Sequence, residues 1–244
     1  MSSTIPNISL FNLALSFIPM LASVIIFYWW SIEIRTTLYA FSRMLFQLIL
    51  VGYLLNYLFA AEQDIILIVV LCVMILVSAW ISLRPLAKKN FPLYLKSLSA
   101  IALSGTVILF FTLEFVLELE RWLTPHYLIP LAGMVYANAM NSVSLAAERF
   151  DAEIKNDIDY FTARKTALQT SLIPLLNSFF AVGLVSLPGM MTGQILAGVS
   201  PLIAVRYQIV IMSMIFAAGA VSVFFYLLQM NPRLNRARTP STLS

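Results

Sequence analysis

Side chains that bind metals or carry redox chemistry are nearly missing from this chain, which holds one cysteine, Cys72, and one histidine, His126. A lone cysteine cannot close an intrachain disulfide, and without CxxC pairs or His/Cys clusters the redox and zinc readings lose their ligands. Cys72 lies in an apolar run and reads as packing. A single histidine also rules out HExxH, and no GxSxG or Ser/His/Asp set presents itself. None of the eight glycines precedes a lysine. The chain therefore lacks a GxxxxGK[ST] phosphate loop and cannot itself hydrolyse ATP in the manner of an ABC protein.

Charge is equally scarce. Only 11% of the residues are charged, against roughly 25% in a soluble domain, while 61% are hydrophobic and the mean hydropathy is +0.90. A water-soluble core does not account for such a composition, and the chain reads as an all-α, polytopic membrane protein. The net charge of +4 comes from Lys and Arg gathered in loops. In a membrane protein these set orientation and touch anionic headgroups. They are too short as clusters for a nucleic-acid footprint. The first charge is Glu33, so the opening apolar stretch Ile8–Ile32 has no positive n-region and no small-residue cleavage site, and it is expected to be a retained helix.

What is present is a series of apolar runs of about 20 residues, the length that crosses the hydrocarbon. Helices are expected at Ile8–Ile32, Leu38–Ala61, Ile65–Leu83, Leu95–Leu117, Tyr127–Ala147 and Tyr207–Met230. Between the last two lies Thr166–Val205, which contains no charge. As one helix it would reach about 60 Å, twice the ~30 Å hydrocarbon. Pro188-Gly189 is the expected break, since proline removes a backbone donor and glycine tolerates a bend. The stretch is then one span plus a re-entrant piece near 186–205, or two spans. With one span, seven in total and an external N-terminus, thirteen of the fifteen Lys and Arg fall inside. They are Arg35, Arg43, Arg84, Lys88, Lys89, Lys96, Arg149, Lys155, Arg164, Lys165, Arg233, Arg236 and Arg238. Only Arg121 and Arg206 fall outside, and positive-inside counting favours this arrangement. It predicts a single transmembrane domain over 1–232, with a cytoplasmic amphipathic segment at 148–165 and a short basic cytoplasmic tail at 233–244.

Irregular backbone at membrane depth survives only where it is buried in protein or lines a watered cavity. The stretch "GLVSLPGMMTGQILAG" therefore has two readings. Gly189 and Gly193 have the small-xxx-small spacing of a close helix contact. Alternatively, Pro188 and Gly189 break a helix so that Met190, Met191 and Gln194 face a pathway. Asn138 and Asn141 could bond between helices or line the same path. Arg43 and Gln47, one turn apart near an inner helix end, fit a snorkelling arginine or a substrate contact. Glu114 and Glu118, with Glu120 and His126 close behind, are a solvated helix end or weak candidates for a hard or borderline cation. Within Glu148–Lys165, the residues Phe150, Ile154, Ile158 and Phe161 recur at helical spacing. They fit a helix on the headgroups, an extension of the preceding span or a docking helix.

Several blocks carry a resemblance: "VGLVSLPGMMTGQILAG" with "PLIAVRYQIVIM", "RMLFQLILVGYLLNYLF", "IPLAGMVYANAM" and "SLIPLLNS". In them, and in its hydropathy order, the chain resembles the FetB-type (YbbM-like) family of ABC transporter permeases, whose bacterial members are described as iron exporters. Plant members are linked to aluminium tolerance. The resemblance implies a permease subunit of an exporter for iron or another metal species, in the inner (plasma) membrane. It also implies a separate ABC ATPase subunit that binds the ATP, and a second copy of the permease. One departure stands out. The interval "NSVSLAAERFDAEIKNDIDYFTARKTALQT" has no glycine and is shorter by about fifteen residues than that family's usual cytoplasmic segment, lacking its Leu-x-Leu-Gly-Ala-like stretch. The rivals are a carrier or channel that works without an ATPase, and a membrane scaffold that transports nothing.

Overall fold

The computed structural model describes residues 8–31, 33–60 and 64–230. The basic tail expected at 233–244, with Arg233, Arg236 and Arg238, lies outside the described residues. Nine α-helices and one π-helical turn form, with no strand among the described residues. Contacts divide the chain into two units, Met1–Glu62 with Leu196–Gly198, and Gln63–Ile195 with Val199–Ser244. Among the described residues, six helical stretches are long and apolar enough to cross a membrane. They match the six expected helices outside the broken stretch.

The first unit holds α1 (Leu10–Leu15), α2 (Ile18–Trp29) and α3 (Ile34–Ala60). Ser9 caps α1 by accepting from the Asn12 amide at 3.1 Å. Pro19 opens α2, where the amide it lacks would have had no intrahelical partner. Thus α1 and α2 together form the span Leu10–Trp29, interrupted at Ser16–Phe17.

The second unit contains α4 (Asp64–Ser82), α5 (Phe91–Phe111) continued by a π turn (Thr112–Val116), α6 (Pro125–Lys155), α7 (Tyr160–Ala181), α8 (Gly189–Leu196) and α9 (Pro201–Leu228). Lipid tails are as apolar as leucine, so these helices gain little from hiding hydrocarbon and depend on close approach and interhelical hydrogen bonds. Small residues supply the approach. Ala100, Ala132, Ala139, Ala146, Ala167 and Ala218 are buried in the core. A Cβ built on Gly105 of α5 would lie 2.6 Å from the Tyr136 ring of α6, and one on Gly219 of α9 would lie 2.7 Å from Ser142 Oγ. Hydroxyls supply the bonds. Ser82 and Ser97 pair at 2.6 Å, Ser104 pairs with Ser222, and Thr106 pairs with the Tyr136 hydroxyl at 2.9 Å.

Two ends of this unit are distinct. The Tyr160 hydroxyl donates to the Leu227 carbonyl at 3.0 Å and Ser99 Oγ donates to Gln229 at 3.0 Å. With the Ser82–Ser97 pair, these bonds gather the C-terminal ends of α4, α6 and α9 with the N-terminal ends of α5 and α7. Arg84, Lys88, Lys89, Lys96, Arg149, Lys155, Arg164 and Lys165 all belong to this basic end. At the opposite end Arg121 pairs with Asp64, and Arg206 lies near the start of α9.

From the Tyr160 bond, α7 runs antiparallel to α9. Leu175 reaches Gly219, and the Phe179 ring lies tilted against Phe216 with centroids 5.1 Å apart. Its 22 residues extend about 33 Å. It thus keeps pace with a membrane-crossing neighbour although Arg164, Lys165, Gln169 and Asn177 exclude it from the six apolar stretches.

The segment 148–165 is not one helix. α6 continues to Lys155, Asp157 adopts a positive φ of 60°, and Asp159 caps α7 by accepting from the Phe161 and Thr162 amides at 3.0 and 3.1 Å. Bonds from the Thr162 side chain and amide, with a lesser one from Phe161, hold the Asp159 carboxyl below its ordinary value. The expected stripe is therefore divided: Phe150 and Ile154 end α6, Ile158 sits in the turn, and Phe161 begins α7.

The two close approaches generate a test. Gly105→Ala drives a methyl into a fully buried tyrosine ring and should cost about 1–3 kcal/mol, the usual range for overpacking. Gly189→Ala and Gly193→Ala meet nothing within 4 Å and should leave the thermal unfolding of the single chain unchanged in detergent. Equal losses from all three would contradict this packing.

Candidate functional site

The helix break in the uncharged stretch is where a cavity forms. α7 ends at Ala181, and the chain turns back on itself through amides of Leu184, Val185 and Ser186 that all donate to the Ala181 carbonyl, at 3.2, 2.8 and 3.1 Å. Gly183 takes a φ of +82°, a conformation that L side chains rarely adopt. α8 then starts at the expected Pro188-Gly189, with the Pro188 carbonyl accepting from the Thr192 amide and hydroxyl at 3.0 and 3.1 Å. Eight residues extend only about 12 Å, so α8 cannot cross the bilayer. The segment expected to be re-entrant contains a short helix, and the break precedes Pro188-Gly189 by several residues.

Between this turn, α7, α8 and α9 lies a cavity of about 320 Å³. Phe179, Val182, Leu187, Val205 and Ile209 make most of its wall. Met191, Met212, Gln208 and Ser213 add polarizable and polar atoms. Met191 is buried against it. Gln208 is 5% exposed, and its Oε1 is buried with no hydrogen-bond partner among the described residues. An amide oxygen so placed costs about 1–3 kcal/mol relative to a bonded one. A ligand donor entering the cavity could relieve that cost.

The other expected site residues fall in different places. Met190 packs against the core. Gln194 lies on α8, and its Oε1 is likewise buried and unpartnered. Open space surrounds Gly189 and Gly193, so the close-contact reading of that pair has no neighbour among the described residues. Asn138 Nδ2 donates at 2.8 Å to the Met134 carbonyl of its own helix, and Asn141 is exposed. Arg43 is half-buried and Gln47 exposed on α3.

The acidic candidates are not gathered. Glu114 occupies the π turn, and Glu118 lies beyond it in a left-handed conformation with φ 48°, so the single helical turn expected between them is absent. His126 starts α6. Among the described residues, no three His, Cys, Asp or Glu come together as a metal site.

Sequence reasoning missed Gln208, Met212 and Ser213. They sit inside a helix read only as a span. The polar Gln208 within the apolar run "PLIAVRYQIVIM" was the available signal.

Comparison with known proteins locates this geometry in a family. The profile of the Uncharacterised protein family UPF0014 matches residues 10–234. The chain belongs to the UPF0014 family. It is similar to the UPF0014 membrane protein slr1647 of Synechocystis, with 37% identity over 203 residues, 76% of this chain and 77% of that one. It is 34% identical over 200 residues to the Arabidopsis thaliana "Protein ALUMINUM SENSITIVE 3", covering 76% of this chain and 72% of that one. It is also 27% identical over 208 residues to the Escherichia coli "Probable iron export permease protein FetB", covering 77% of each. No solved structure matches the chain.

The unpartnered amide makes a measurable prediction. Gln208→Leu removes a buried polar group at nearly constant volume and should raise the unfolding temperature of the purified chain, by the equivalent of about 1 kcal/mol. A lower unfolding temperature would mean that the amide is already satisfied.

Proposed function

We propose that this chain is the permease subunit of an exporter for iron or another metal species, driven by a separate ABC ATPase, and that the cavity at Gln208 is part of its translocation path. The observation that carries the reading is the pairing of a helix break with a buried, unpartnered amide in a family that includes a relative named as an iron export permease. The chain's own role is to bind and pass the substrate, not to catalyse a reaction. It has no phosphate loop, so ATP belongs to the partner subunit, and two permease copies would complete the pathway.

The lining constrains the cargo. Thioethers favour soft ions, whereas iron prefers imidazole and oxygen, and neither a carboxylate nor an imidazole lines the cavity. A metal passing here travels as a complex with an apolar surface and a hydrogen-bond donor, not as a bare hard cation. Met191→Leu with Met212→Leu approximately conserves volume and should cost under about 1.5 kcal/mol for each site. Abundance should be kept while metal efflux from cells falls at least tenfold. Efflux at the parent rate with normal abundance would remove the sulfurs from the path.

In this reading the protein lies in the inner (plasma) membrane with α7 as the seventh span, the N-terminus outside and the C-terminus in the cytoplasm. The gathering of cations at one end of the second unit supports this, since cytoplasmic loops carry the excess of Lys and Arg. Reporters fused after Ser3 and after Ser244 are expected on opposite sides, and the same side for both would refute the seven-span topology.

One observation favours a second reading, an ATPase-independent carrier. The turn from α6 to α7 spans only the four residues between Lys155 and Tyr160, leaving no separate docking helix. Ile154, Ile158 and Phe161 remain exposed there, whereas Phe150 packs edge-on against Tyr160 at 6.0 Å. Purification from native membranes in mild detergent discriminates the two. Recovery of a Walker-motif ATPase with the chain, lost on Ile154→Ser with Ile158→Ser, supports the ABC reading. Full transport by the chain alone in vesicles without ATP overturns it.

A further inference from the structure

A second groove lies at the basic end, at the end of α7 and α9 opposite the cavity beside Gln208. It has a volume of about 320 Å³ and is lined by Phe161, Arg164, Lys165, Leu168, Phe224 and Leu227. Arg164 is held in place by aromatic rings, its Cζ lying 5.7 Å from the centroids of both Tyr160 and Phe161. Neither Arg164 nor Lys165 makes an ion pair among the described residues, whereas Arg149 and Lys155 pair with Glu153 and Asp151. The groove thus sets two cations without a carboxylate partner above an exposed apolar floor, with Phe161 66% and Phe224 50% exposed.

We propose that this groove seats one anionic phospholipid, with its phosphate between Arg164 and Lys165 and an acyl chain along Leu168, Phe224 and Leu227. Helical side chains tilt toward the helix N-terminus. On α7 that direction is out of the bilayer, so both cations reach toward headgroup depth while Leu168, one turn further in, stays at acyl depth. The floor continues inward on α9 from Leu227 to Phe224. Charge at the boundary and hydrocarbon below it are the two halves of a phospholipid, and basic pockets between membrane helices on the cytoplasmic side are suited to such headgroups. This inference rests on the second unit alone and is independent of what the protein transports.

The experiment uses the purified full chain in neutral detergent, with phosphatidylglycerol as probe and phosphatidylcholine as its uncharged counterpart. Each near-surface cation contributes about a fivefold preference for anionic lipid. Arg164→Gln with Lys165→Gln should therefore weaken retention of phosphatidylglycerol about 30-fold in native mass spectrometry and abolish its stabilising shift in thermal unfolding. Lys88→Gln with Lys89→Gln removes the same charge from the same end and should keep both. Phe224→Trp fills the groove without touching charge and should lose the bound lipid, which keeps the test open if the arginine variant folds poorly. Equal retention in all variants, or a phosphatidylcholine shift as large as that of phosphatidylglycerol, overturns the site. Loss of a co-purifying ATPase in the Arg164/Lys165 variant, with lipid retention intact, would reassign the groove to a protein partner and equally overturn it.

Discussion

Helices inside a bilayer have little to gain from burying hydrocarbon, so what holds this protein's second unit together is how closely their backbones can come. Gly105 lets α5 lie against the Tyr136 ring, and Gly219 lets α9 lie against Ser142 and Leu175. At those distances short hydroxyl side chains span from helix to helix, and Ser82–Ser97, Ser104–Ser222 and Thr106–Tyr136 follow. The alanines between them fill the remaining space without forcing the axes apart. Longer side chains at these positions would satisfy lipid equally well and would lose the bonds.

The candidate site follows from that tight packing by contrast. α7 is fixed against α9 from Tyr160 to Phe179, then ends, and α8 is too short to replace it. Beyond Phe179 the wall beside α9 is left incomplete, and Gln208 faces the gap with an unmet acceptor. The cost of that unmet acceptor is therefore located beside the cavity.

The spans were legible because an apolar run of about 20 residues is a strong signal that needs no partner to interpret. Pro188-Gly189 was expected to be the break because both residues restrict or free their own backbone, but α7 already ends at Ala181 and the pair instead marks the start of α8. The contacts between helices were not. In a helix that is apolar on every side, periodicity no longer says which face meets protein, and Gly105 and Gly219 look no different from Gly189 and Gly193. Gln208 and Met212 were lost to the same uniformity. The acidic pair Glu114 and Glu118 failed differently, because the π turn ends the helix between them. The stripe from Phe150 to Phe161 failed because Asp157 and Asp159 favour a turn and a cap, and these local preferences override an apolar period that runs through them.

The turn between α6 and α7 is anchored on three sides. Asp159 fixes the first turn of α7, Phe150 of α6 lies edge-on to Tyr160, and the Tyr160 hydroxyl is bonded to the last turn of α9. A partner that twists this corner therefore has no slack to take up. The corner thus ties one end of α7 to one end of α9, and the far ends of the same two helices form the walls beside Gln208.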